Sequence, residues 1–168
     1  PAIAMLGASP LFLIGSSMIT TAHGDASVIW HDNVCISTLK GAFNEEGIAN
    51  WFLLLQQSWV ARDKPPRWAH VLDMFGWQGR TPETTALVRK GVAWTNSHGL
   101  SCAVLIMEAG PASIFIRMNQ TANPVIPVDA DITICQSYEE CVAQLQRRQF
   151  AVSLQQLQPG ASHSRPEL

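Results

Sequence analysis

Six consecutive apolar residues, Cys102-Ala103-Val104-Leu105-Ile106-Met107, constrain this chain more than any other feature. A run without alternation suits a strand buried on both faces, and such strands belong to parallel sheets with helices on either side. The surrounding segments agree. Trp68 to Leu72 is a second mostly apolar run, read as a buried strand that Asp73 ends, and Ile132-Thr133-Ile134-Cys135 reads as another. Helical spacing fills the gaps between them. Ile48, Trp51, Phe52, Leu55 and Trp59 recur at intervals of three and four, which predicts one apolar face of a helix from Asn44 to about Arg62. Asn44 caps it, Glu45 and Glu46 suit its positive end, and Lys64-Pro65-Pro66 stops it. Leu87, Gly91, Trp94 and His98 share a face of a second helix, with Thr81 as its cap, Pro82 in its first turn and Gly99 just past its end.

Pro111 opens a short helix carrying Ile114, Phe115 and Met118. Ser137-Tyr138-Glu139-Glu140 has the spacing of a capping box and starts a last helix through Val142 and Leu145, with Arg147 and Arg148 at its negative end. Before all of these, residues 26–30 and 34–39 flank His31-Asp32-Asn33 as a β-hairpin, and Gly41 ends its second strand. The predicted order is β-β-α-β-α-β-α-β-α. It implies a single α/β domain with a mostly parallel sheet, an antiparallel edge hairpin and flanking helices. A length of 168 residues suits one domain, which buries about two-thirds of its unfolded surface.

The domain is placed at 24–150. Residues 1–23 read as an apolar extension, and no charge falls in the first seventeen. No basic region of a secretory signal precedes it, and Pro10 cuts an apolar stretch already shorter than the roughly 20 residues of a membrane helix. No membrane span is expected. Met18 would be a sensible first residue, with what precedes it non-native; otherwise the 2–14 segment needs burial, which a homodimer would provide. Residues 151–168 read as a tail. The 47% apolar and 14% charged content excludes a disordered chain. Eleven basic against 13 acidic residues leave no excess to drive counterion release, so nucleic acid is not an expected partner. Cys35, Cys102, Cys135 and Cys141 form no C-x-x-C pair and read as buried free thiols, which suits a reducing cytoplasm.

The element order, with Gly41-Ala42-Phe43-Asn44-Glu45-Glu46-Gly47 opening the first helix, resembles the STAS-like domains of sulfate transporters and anti-sigma-factor antagonists. It is most similar to the bacterial anti-sigma-factor-antagonist-like branch. Asp73 at the end of the third strand, Trp77-Gln78-Gly79-Arg80-Thr81-Pro82-Glu83 entering the second helix, and the final strand and helix over Ile132–Leu145 carry the resemblance, which spans about 26–148. It implies a non-catalytic regulatory module that binds a protein partner. Antagonists of this kind carry Asp-Ser-Ser/Thr-Gly at that loop, with the Ser phosphorylated by a partner kinase. This loop has no Ser, and Thr81 is its nearest hydroxyl, followed by Thr84 and Thr85.

No catalytic, cofactor or metal motif stands out. The five His lack the spacing of a helical metal site and sit beside no Cys ligand pair; no G-x-S-x-G elbow exists, and Gly76-x-x-Gly79 is too short for a phosphate loop. His70, in an apolar strand, reads as a hydrogen-bonded structural residue, and Asp73 as an acceptor of backbone N–H groups. The chain is therefore not expected to be an enzyme. The candidate interaction or switch residues are Asp73, Trp77, Arg80 and Thr81, in and before the loop 76–83. A helix N-terminus favours anions, Arg80 can donate a bidentate pair, and an exposed Trp77 beside it would suit a hot spot. The plainer reading keeps Thr81 as a cap and Arg80 as a solvated cation. A small hydrophobic or anionic ligand-binding protein is the alternative to an interaction module; an enzyme would need Asp73, His70 and Arg80 gathered in one pocket.

Overall fold

The computed structural model describes residues 22–111, 113–114 and 131–158. The predicted extension before residue 22, Phe115, Met118 and the tail beyond residue 158 lie outside the described residues. Strands β1 (Asp25–His31), β2 (Val34–Phe43), β3 (Trp68–Arg80), β4 (Leu100–Ile106) and β5 (Asp131–Cys135) form one sheet in sequential order. β1 pairs antiparallel with β2, and every later pairing is parallel. Helices α1 (Glu45–Ala61), α2 (Thr85–Ser97), α3 (Tyr138–Arg147) and α4 (Leu154–Leu157) complete the fold. Pro111, Ser113 and Ile114 are helical where a short helix is expected. The α/β class, the antiparallel edge hairpin and the element order are as read from the sequence, with α4 added.

The local reasons are largely the expected ones. Asn44 Oδ1 accepts from the Gly47 N–H at 2.9 Å, and also from the His23 N–H at 2.9 Å, so one cap holds both the helix start and the chain entering β1. Asp63 and Lys64 turn left-handed after α1, ahead of the prolines. Gly99 takes φ +85 after α2, and a Cβ there would fall 2.3 Å from the Pro66 carbonyl. The α3 capping box is displaced. Ser137 Oγ accepts from the Glu140 N–H, but the Glu140 carboxylate reaches back to Gln136 N–H rather than to the cap residue.

Side chains of the sheet sort onto two faces. Val34, Ile36, Ala69, Val71, Cys102, Val104, Ile106 and Cys135 meet α3 and the segment behind it. Cys35, Leu39, Trp68, Met74 and Met107 meet α1 and α2. All four cysteines are buried thiols outside any disulfide. The packed body does not stop at 150: Val152 and Leu157 are buried against the first face, and Ser153 with Gln156 forms a capping box for α4. These residues belong to the core rather than to a tail.

Two strands run further than their sequence suggested. Gly41 does not end β2, which continues to Phe43, and Asp73 does not end β3, which continues to Arg80. Lys40–Phe43 pair with Gly76–Arg80, through register shifts after Thr38 and after Gly41. Gly41 and Gly79 take φ +79 and +126. Both glycines serve bulges in a continuing ribbon, a role that reads like a strand stop in a single sequence.

Candidate functional site

Parallel sheets bind at the carboxyl ends of their strands. In this molecule that end is shaped by β3. Its pairing with β4 finishes at Asp73 opposite Ile106, while its pairing with β2 continues to Arg80. The residues expected as a loop, 76–80, therefore form one strand of a ribbon that projects past the sheet.

Asp73 is buried, and its carboxylate is occupied on both oxygens. Oδ1 accepts from the Phe75 N–H at 3.2 Å, the backbone-acceptor role expected of it, and Oδ2 accepts from the Tyr138 hydroxyl at 2.8 Å. Tyr138 sits in the first turn of α3, half-buried; burial and the Asp73 carboxylate push its hydroxyl well above the usual tyrosine range. Phe75 lies edge-on to Tyr138, ring centroids 5.4 Å apart, and is 37% exposed. Sequence reasoning missed both aromatic residues. A signal for Tyr138 existed: a helix that follows β5 in a parallel sheet must begin at this end, and the capping spacing placed Tyr138 in its first turn.

The remaining candidates are placed differently from expectation. Trp77 is half-buried against the Leu39–Phe43 cluster, not exposed, because it belongs to the ribbon's inward face. Arg80 is exposed, and its Nη1 donates to Thr84 Oγ1 at 2.8 Å and Thr85 Oγ1 at 2.9 Å, tying the end of β3 to the start of α2. Thr81 makes no side-chain cap. The proline after it holds it extended at ψ 152, and its hydroxyl turns to Glu83, whose carboxyl is lowered first by a backbone hydrogen bond and then by that hydroxyl. A 3₁₀ turn, Pro82–Thr84, intervenes before α2 and is closed by bonds to the Thr81 carbonyl from Thr84 N–H at 3.2 Å and Thr84 Oγ1 at 2.7 Å. Asp73 and Tyr138 are brought together with Phe75; Arg80 and Thr81 sit at the ribbon's far end.

His70 is not part of this surface. It is buried on the α1 face, bonded through Nε2 to Ser37 Oγ at 2.9 Å, and Trp51 Nε1–H donates to the same oxygen at 3.1 Å. Burial drives the imidazole down to about 3, so it is neutral. Among the described residues, no cluster of His, Cys, Asp or Glu is arranged to hold a metal ion, and no helix is long and apolar enough to cross a membrane.

No family model matches the sequence, and no curated protein matches it. A solved structure does match in fold: an uncharacterised protein of the DUF3478 family from Shewanella loihica PV-4, with a SpoIIAA-like fold. The TM-score is 0.53 over 75% of this chain and 96% of that chain, at 12% sequence identity. This is the anti-sigma-factor-antagonist fold that the element order resembles, and at that identity the likeness extends to fold alone.

Proposed function

We propose that this SpoIIAA-like domain is a non-catalytic regulatory module that binds a protein partner through the carboxyl end of its sheet, along the ribbon from Asp73 to Thr81. The observation that carries the reading is Phe75. It is a large aromatic side chain left 37% exposed, and its backbone and ring are both fixed, by Asp73 and Tyr138 respectively. A rigid, half-exposed aromatic residue anchors an interface at low entropic cost. The groups that could do chemistry are committed elsewhere. The Asp73 carboxylate holds two donors, and the neutral His70 is enclosed in the core with Ser37. Thr81, exposed at the far end of the ribbon, is the hydroxyl through which a kinase would act on this surface.

Affinity capture from the source cell tests this. Wild type should retain a discrete partner that Phe75→Ala loses. Thr81→Asp, which disturbs no cap, should fold normally and weaken capture by adding charge to the surface. Retention unaffected by Phe75→Ala and Thr81→Asp would remove this surface from the function. A co-purifying small molecule in native mass spectrometry, with no protein retained, would favour the ligand-binding alternative.

A further inference from the structure

Strand β1 forms one edge of the sheet, and no described strand pairs with its outer side. Sheet edges are usually blunted by a bulge, a proline or a lysine. This one has none of these. Its residues, Asp25-Ala26-Ser27-Val28-Ile29-Trp30-His31, pair with β2 without a register shift, and no charge falls between Asp25 and His31. The hairpin decides which backbone groups point outward. Only Asp32 and Asn33 separate His31 from Val34, so those two residues exchange both backbone bonds. Such pairs alternate along an antiparallel ladder. Asp25, Ser27 and Ile29 therefore bond β2, whereas Ala26, Val28 and Trp30 turn their N–H and C=O groups to the outer edge.

We infer that β1 is a homodimer interface, to which the β1 of a second copy adds antiparallel about a two-fold axis through Val28. A two-fold contact must be complementary to itself, and this strand is so at that register. Val28 pairs with the second copy's Val28 and Ala26 with its Trp30, which gives every outward backbone group on both strands a partner. Small Ala26 then lies beside large Trp30, Ser27 opposite Ile29, and the Asp25 carboxylate opposite the His31 imidazole. Any other axis shortens the overlap and takes Asp25 off His31. Apolar side chains stand open on both faces beside this edge. Ala26 and Val28 pack toward α1, so Ile29 lies on the opposite face, where it is 42% exposed. Leu54, 37% exposed, stands one turn before Ser58, whose hydroxyl accepts from Trp30 Nε1–H at 3.0 Å; it therefore lies on the β1 side of α1. Joining the sheets brings Ile29 within diagonal reach of its copy and Leu54 over the join, toward the second α1. A lone strand from another protein would leave Leu54 uncovered, which is why a second copy fits this edge better.

Sedimentation equilibrium of the full chain over a range of concentrations tests the inference, which is independent of the ribbon. The expected result is a mass of two chains. Ile29→Lys sets a lysine on the edge and leaves the β1–β2 backbone bonds in place, and should raise the dimer dissociation constant at least about tenfold. Leu53→Lys, on the side of α1 away from β1, should leave it unchanged. Thermal melts at low concentration confirm that both variants fold. The register has its own readout. Positions 27 and 29 are exposed, and the four native cysteines are buried. Oxidising a mixture of Ser27→Cys and Ile29→Cys chains should therefore yield a mixed disulfide dimer, because these positions face each other across the axis. A single-chain mass at every concentration overturns the inference, as does a dimer that Ile29→Lys leaves intact or that Leu53→Lys dissolves. Absence of the mixed disulfide overturns the axis through Val28.

Discussion

Trp51 is the residue on which the α1 side of the molecule turns. Its ring stacks on Phe52 at 4.6 Å between centroids, and its indole N–H holds Ser37 Oγ, which also holds His70. Trp51→Ala should cost about 3–5 kcal/mol, the range for emptying an aromatic core site, read as a lowered denaturant midpoint at constant slope. An unchanged midpoint would mean that this face does not line the core. His70 makes a separate claim about pH. Burial depresses its folded pKa to about 3 from an ordinary 6.5, so in that interval the unfolded chain binds a proton that the folded chain refuses. The stability held by the neutral ring is complete above the unfolded value and falls as pH drops through the window, by about 1.4 kcal/mol per unit. His70→Gln, which keeps a partner for Ser37, should flatten this part of the profile; a slope equal to wild type would contradict the assignment.

At the scale of elements, starts and stops built from local chemistry were legible, and those depending on a neighbour were not. Asn44, Gly99 and the Cys102–Met107 run declare themselves because capping and double-sided burial act within a few residues. Gly41 misleads because a strand-ending glycine and a bulge glycine differ only in whether another strand continues alongside. Thr81 misleads because Pro82 fixes its backbone while Glu83 takes its hydroxyl. The packing of α2 on α1 is also invisible to propensity. A Cβ on Gly91 would fall 1.9 Å from the Phe52 ring. Gly91→Ala, worth up to about 1 kcal/mol in an isolated helix, should instead lower the melting temperature, and Phe52→Leu in the same chain should restore much of it. A gain in stability from Gly91→Ala alone would refute the contact. The terminal segment gives a parallel test. Ending the chain at Phe150 removes buried Val152 and Leu157, and should cost about 1.5–3 kcal/mol for each side chain withdrawn from the core; a melt equal to the full chain would make 151–157 a tail after all.

For the whole molecule, the element order carries the architecture, since strand-helix alternation with one hairpin admits few sheets. The candidate site is less legible for a physical reason. Asp73 stood out as an acid after an apolar run, but its partner Tyr138 lies 65 residues away and meets it only once the sheet is assembled. Phe75 lacks any local signal, because exposure is decided by where β4 stops pairing. The proposed working surface is the ribbon at the carboxyl end of the sheet. The ribbon is the central claim. Its most direct test is a photo-crosslinking amino acid placed at Phe75 in the source cell, with Gln155, exposed on α4, as control. The account predicts one discrete protein adduct from position 75 that position 155 does not form. Adducts absent from position 75, or the same from both positions, would contradict it.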